Sequence, residues 1–236
     1  MKTHRFFINQ KITDQPEITI TDPGVIHQMR HVLRLQQDDP VILLDGAGNE
    51  YHSRVKVLLK KESFFVKEKI KMVDSKKEKK INLVPALLKK DKFEWVLQKC
   101  TELGVKSFSP IISERTEKTK LNIVRANIIL KEAAEQSERV TLPTLNEPVS
   151  LEEFLKKTKE NNTQNVYVLD FCETKIDVSH LKTLNDVTVL IGPEGGWGEE
   201  DKKLFKEYEL ESISLGDRVL RAETASVAVS SLISLG

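Results

Sequence analysis

Val187–Gly198, VTVLIGPEGGWG, and Ser212–Ala225, SISLGDRVLRAETA, are two short apolar runs that each break into glycine and re-form as a helix. They stand about twenty residues apart, which leaves room for a single helix between them. In an α/β protein this brings two glycine-rich turns to one edge of a sheet, where such folds bind ligands. The pair predicts a cofactor pocket. In the first turn Pro193 stiffens the backbone, while Gly192, Gly195, Gly196 and Gly198 permit positive φ and close approach of a ligand. Glu199, Glu200 and Asp201 fill the first turn of the next helix, which suits its dipole but repels a phosphate. The chain contains neither a GxxxxGK phosphate loop nor GxGxxG, so phosphoryl transfer and ordinary dinucleotide binding lose their support.

Upstream of these turns, from Ile81 onward, strands alternate with helices, the pattern of a mostly parallel sheet covered on both faces. Ile81–Leu88 reads as a strand and Asp91 as the cap of the following helix. In that helix Phe93, Val96, Leu97 and Cys100 share one face, and Gly104 ends it. Strand 107–112, helix 121–137, a helix from Leu151 and strands 166–170 and 187–191 complete the expected order. Residues 1–72 read instead as a small β-rich domain, with strands at 4–8, 17–20, 41–45, 51–59 and 63–70. Asp22-Pro23-Gly24 starts a helix there, with Val25, Met29, Val32 and Leu33 at helical spacing and His27, Arg30, His31 and Arg34 on its polar side. The aperiodic stretch VDSKKEKK, 73–80, marks the boundary between domains 1–72 and 73–236.

The 236 residues carry a net charge of only +1, but residues 54–80 hold eleven Lys or Arg against four acids. Each lysine run alone is compatible with a solvated face. Beside a catalytic domain, that concentration of charge favours a polyanion such as RNA over an acidic small molecule. No segment has the ~20 consecutive apolar residues of a membrane helix, and MKTHRFFINQ lacks a signal-peptide core, so the chain reads as cytoplasmic. Cys100 and Cys172 have no CxxC spacing and no nearby histidine, and read as free thiols, with no metal site expected.

The C-terminal domain offers no GxSxG, no HExxH and no histidine except His180. Its chemistry must then rest on positioning and electrostatics, and methyl transfer from a sulfonium fits that restriction. Small residues, Ala222, Ala225, Ser226, Ala228, Ser230 and Ser231, make the last helix suited either to a flat ligand or to tight packing on its own sheet.

Over nearly its whole length the chain resembles the SPOUT-class 16S ribosomal RNA uridine-N3 methyltransferases, the ribosomal RNA small subunit methyltransferase E family. The resemblance lies in HRFFI, HVLRLQQDDPVILLDGAGNEY, QKCTELGVKSFSPIISERT, EAAEQSERVTLP, LIGPEGGWGEED and SLGDRVLRAETA. It implies an α/β fold: a C-terminal SPOUT-type, mostly parallel sheet ending in a trefoil knot, with a small N-terminal PUA-like β-barrel. It implies S-adenosylmethionine bent in the knot, a homodimer, and 16S ribosomal RNA in the small subunit as substrate. Carried onto this chain, the cofactor pocket comprises Leu169; Ile191, Gly192, Pro193, Glu194, Gly195 and Gly196; and Ser214, Leu215, Gly216, Val219, Leu220, Thr224 and Ala225. Arg221 is expected to stabilise the uridine oxygens, with Arg139 or Glu194 positioning the base. Arg221 paired with Glu223 as a loop brace stands as the other reading. Arg5, His31, Arg34, Lys89, Lys90 and Lys92 are the candidate phosphate contacts. A noncatalytic RNA-binding or ribosome-assembly factor, or a SPOUT enzyme acting on another RNA, remains open at this point.

Overall fold

A computed structural model of the chain describes residues 3–8, 10, 12, 15–72, 79–170 and 178–235. Cys172 and most of the 73–80 boundary stretch lie outside the described residues. The chain divides into two compact units, Met1–Lys77 with Ala134–Leu142, and Glu78–Ala133 with Pro143–Gly236.

In the first unit β1 (His4–Phe7), β2 (Glu17–Ile20), β3 (Pro40–Leu44), β4 (Asn49–Leu58) and β5 (Ser63–Met72) form one sheet in the order β1-β3-β4-β5-β2. Only β1 and β3 run parallel. Alternating side chains bury Phe6, Ile18, Ile20, Leu43 and Phe65 in one core. Helix α1 (Pro23–His27) starts as its sequence predicts: the Asp22 carboxylate accepts from the N–H groups of Gly24 at 2.8 Å and Val25 at 3.2 Å. The expected face of Val25, Met29, Val32 and Leu33 is only half realised. Val25 and Met29 are buried, but Val32 is 65% exposed. The helix widens into a π turn over Gln28–Val32, closed by the Leu33 N–H on the Gln28 carbonyl at 2.9 Å, and the wider turn rotates Val32 outward.

In the second unit six parallel strands lie in the order β13-β11-β12-β6-β7-β9: β13 (Glu211–Ile213), β11 (Val166–Leu169), β12 (Asp186–Ile191), β6 (Lys80–Pro85), β7 (Ser107–Phe108) and β9 (Thr144–Leu145). The strand expected over 107–112 splits at Pro110, which has no N–H to give a ladder. Its second half, β8 (Ile111–Ile112), pairs with β10 (Val149–Ser150) instead. Helices α2 (Lys90–Glu102), α3 (Ile123–Gln136), α4 (Leu151–Glu160), α5 (Glu199–Glu207) and α6 (Ala222–Ser234) complete the order, α3 ending in the segment counted with the first unit.

The central strands are apolar on both faces because both are covered. Ile81, Leu83, Val187, Val189 and Ile191 pack with Phe93, Leu97, Cys100, Val229 and Ile233 of α2 and α6. Val84, Val168 and Leu190 point the other way, towards Leu155, Trp197 and Phe205. Phe93, Val96, Leu97 and Cys100 are all buried, and Gly104 ends α2 at φ +87°. Asp91, expected as the cap of α2, lies instead inside its first turn; Lys89 occupies the cap position. One detail of register sets up the site. Leu169, last in β11, is the ladder partner of Ile191 on one side and Ile213 on the other. The connection from β12 through α5 to β13 thus jumps over β11, and both glycine turns leave the sheet at one level.

Candidate functional site

Between the two turns lies a cleft of about 190 Å³, lined at its base by Leu169, Asp170 and Ile191. Gly192, Pro193, Gly196 and Trp197 form one wall; Ser214, Leu215, Arg218, Val219, Leu220, Ala222 and Ala225 form the other. Trp197 fixes the first wall. Its indole N–H donates to the Leu169 carbonyl at 3.0 Å, and its ring meets Phe205 edge-on at 4.9 Å. A Cβ on Gly192 would stand 3.1 Å from that indole, so the absence of a side chain there lets the ring close over the turn. Gly196, at φ +70°, has nothing within 4 Å of where its Cβ would be and leaves open space in the wall. Gly216, at φ +118°, turns the second wall, supported by the Ser214 hydroxyl donating to its carbonyl at 3.1 Å.

Carboxylates occupy the N-terminus of α5, as its acidic first turn suggests. Asp201 accepts from the Gly198 N–H at 2.9 Å and the Glu114 N–H at 3.1 Å. Glu114 in turn accepts from the Glu200 N–H at 2.9 Å. This helix end is already satisfied by anions and is closed to a phosphate. The first turn is also tied to its neighbours. Arg115 donates to the Gly195 carbonyl at 3.0 Å, and Glu194 pairs with Lys92 at 3.3 Å and accepts from the Lys89 N–H at 3.4 Å. Partial burial would push the Glu194 carboxyl up, but its own backbone N–H, that of Lys89 and the Lys92 ammonium together hold it below the usual range.

Ten of the cofactor residues expected from sequence line the cleft; Glu194, Gly195, Gly216 and Thr224 stand beside it in the same turns. Arg221 is the N-cap of α6, exposed and directly between the lining residues Leu220 and Ala222. It makes no ion pair with Glu223 or any other acid among the described residues, so the loop-brace reading finds no support. One Glu223 carboxylate oxygen is buried without a hydrogen bond. Arg139 belongs to the first unit.

The candidate phosphate contacts divide. Arg5 is partly buried, its side chain 9% exposed, and bonded to the Glu50 carboxylate at 2.6 Å, so its charge is neutralised internally. His31 is exposed, its ring 5.0 Å from that of His27, and Arg34 is exposed with φ +54°. Lys89 is exposed and 3.5 Å from Glu117, Lys90 is exposed, and Lys92 is half-buried against Glu194.

Asp170, Trp197 and Arg218 line the cleft and were not singled out from sequence, whereas Ala222, which also lines it, is one of the small residues expected to admit a flat ligand. Asp170 carried a readable signal, an acid at the carboxyl end of a strand, where open α/β sheets hold ribose hydroxyls. Trp197 carried one too, as the sole aromatic within a run of glycines. Among the described residues no group of three or more His, Cys, Asp or Glu is placed to hold a metal, and no helix is long and apolar enough to cross a membrane.

Residues 75–234 match the family model of an RNA methyltransferase domain, and residues 20–69 that of an RNA methyltransferase PUA domain. The ribosomal RNA small subunit methyltransferase E of Rickettsia conorii is 30% identical over 232 residues, covering 96% of this chain and 93% of its own. That of Bacillus subtilis is 30% identical over 251 residues, covering 98% and 95%. A candidate methyltransferase from Legionella pneumophila, solved with bound S-adenosylmethionine, superimposes with a TM-score of 0.89 at 27% identity over 100% of this chain and 98% of that one. With likeness of this extent in both sequence and fold, the chain belongs to the ribosomal RNA small subunit methyltransferase E family.

Proposed function

We propose that this protein transfers the methyl group of S-adenosylmethionine to N3 of one uridine in 16S, small-subunit ribosomal RNA. The observation that carries the reading is the cleft itself: two glycine turns leaving the sheet on either side of Leu169. The residues fit an adenosyl group without phosphates. Leu169, Ile191, Leu215, Leu220 and Ala225 supply apolar walls for a flat ring, the turns supply backbone donors and acceptors, and Gly196 leaves a space that a side chain would fill. The anion-capped end of α5 disfavours phosphate-bearing adenine nucleotides at the same place. When bound, S-adenosylmethionine supplies a methyl already activated by its sulfonium.

The protein's part is then to present the base and stabilise its charge. Arg221, unpaired and at the rim, donates to the uracil oxygens as N3 gives up its proton. Glu194, held by Lys92 and the Lys89 N–H, fixes the first turn against α2, and Glu194 or Arg139 helps position the base. A base-paired N3 is hidden, so the target uridine is unpaired or drawn out of its helix.

Residues 1–72 act as a PUA-like RNA-binding β-barrel and 73–236 as the SPOUT domain. The return of α6 from edge strand β13 onto β6 and α2 supports a trefoil knot in the second. Exposed Trp95 on α2 and Leu232 on α6, helices that pack together, support a homodimer. The protein works in the cytoplasm, where small ribosomal subunits are made. Purified protein with methyl-labelled S-adenosylmethionine and small-subunit RNA should label a single uridine at N3, read by mass mapping. RNA binding with no heat on titration with the methyl donor would replace the enzyme reading with a noncatalytic assembly factor.

A further inference from the structure

A second cavity, of about 220 Å³, opens in the second unit between the N-terminal halves of α2 and α3 and the chain leading into α3. Its floor is apolar: Leu87, Leu88, Phe93, Leu97 and Ala126 are all buried. Its rim is cationic, with Lys90, Lys118, Lys120 and Arg125 against one acid, Glu94. Arg125 lies 3.4 Å from Glu94, which leaves the three lysines exposed and without a carboxylate partner among the described residues. Asn122 caps α3 by accepting from the Arg125 N–H at 3.0 Å, so the positive end of that helix also faces the rim.

An apolar floor under a positive rim matches a flat uncharged ring that carries phosphate. We infer that this cavity docks one unpaired nucleotide of the RNA substrate, its base against Phe93, Leu97 and Leu121 and its flanking phosphates on Lys90, Lys118 and Lys120. The cavity is distinct from the cleft but mechanically joined to it. Its α2 wall is tied to the first glycine turn through Lys89 and Lys92 on Glu194, and Arg115, three residues before Lys118 in the chain, donates to the Gly195 carbonyl. The nucleotide seated here is therefore a neighbour of the methylated one. Its contact holds the strand beside the cleft and tightens the walls that support the GPEGG turn. Lys118, Lys120 and Leu121 thereby gain a role in selecting the sequence or shape around the target. The inference rests on RNA being the substrate, as proposed above.

Two measurements test it on the full-length protein with a short single-stranded oligouridylate. Lys118→Glu/Lys120→Glu should weaken binding about tenfold, and the slope of log affinity against log salt should fall by about 1.4, two single-strand phosphates' worth. Lys202→Glu/Lys203→Glu, an exposed pair on α5 already paired with Glu199 and Glu200, should do neither. In the RNA of the methylation assay, removing bases one at a time should reveal a single position outside the target where loss of the base weakens binding to the wild type but not to the double variant. Unchanged affinity and slope would overturn the inference, as would a base-removal scan with no sensitive neighbour, which reduces the rim to a charge patch. A variant defective only on intact subunits, with a flat scan, would also overturn it and assign the cavity to an acidic protein segment. Wild-type methylation of the RNA separates these results from failure of the enzymatic reading.

Discussion

Trp197 donates its indole hydrogen to the carbonyl of Leu169 at 3.0 Å, joining the first glycine turn to a strand 28 residues earlier in the chain. The same indole roofs Gly192, where a Cβ would come within 3.1 Å of the ring. Gly192→Ala must therefore displace the ring by a few tenths of an ångström and strain its bond to that acceptor. The expected cost is roughly 1–3 kcal/mol of stability from overpacking, with a loss of affinity for S-adenosylmethionine of about tenfold. Thermal denaturation and isothermal titration read the two; unchanged affinity would separate the indole from the cofactor wall.

Among the described residues Arg221 has no acid to neutralise it, and it stands between two cleft-lining residues. Arg221→Ala should lower single-turnover methyl transfer by about two orders of magnitude while leaving cofactor affinity nearly unchanged. Equal loss of both would remove its part in the reaction.

A Cβ on Gly198 would fall 2.0 Å from the Glu114 carboxylate, the flexible end of a side chain that caps α5. Gly198→Ala should evict that carboxylate and cost about 1 kcal/mol, the worth of a cap. In a Glu114→Ala background the same change should cost much less. Urea denaturation of the four proteins gives the coupling, and additive effects would contradict it.

Burial alone would raise the Glu50 carboxyl, but the hydrogen bond and charge of Arg5, then the charge of Lys71, hold it below its ordinary 4.5. A carboxyl lowered on folding contributes stability that is complete above its unfolded value and lost as pH falls through the folded one. Glu50→Gln leaves Arg5 buried without its anion, so it should cost about 3 kcal/mol near neutral pH. It should also flatten the fall in stability below about pH 4.5, followed by urea denaturation at a series of pH values.

Burial pushes the Cys100 thiol up to about 12, against a smaller opposing effect of its hydrogen bond with Ser230. In a Cys172→Ser background, a maleimide at about pH 8 should leave the native protein unlabelled and react only on unfolding. Labelling of the native protein would show that the α2–α6 contact opens.

Much of this architecture was legible because its signals are local. Phe93, Val96, Leu97 and Cys100 show a helical stripe, Asp22 a cap, Gly104 a stop, and the GPEGGWG and SLGDRVLRAETA turns a ligand edge. What escaped depends on partners remote in sequence. The split of 107–112 follows from Pro110 denying a ladder bond, but which strand the second half joins depends on residues 149–150. Arg5 reads as a free surface cation until the fold brings Glu50 beside it. Val32 fits a helical repeat that a π turn interrupts, and nothing in its neighbours' identities announces that extra residue. Lys118 and Lys120 lie in an aperiodic stretch with no motif and Leu121 reads only as the start of a helix, and the packing of α2 against α3 makes a cavity of them.

The double pairing of Leu169 with Ile191 and Ile213 sets a gauge for the cleft. Its two jaws spring from strands two hydrogen-bonded steps apart, about 10 Å. That width belongs to the sheet, so substitutions in the turns can alter what the jaws touch without widening their stance.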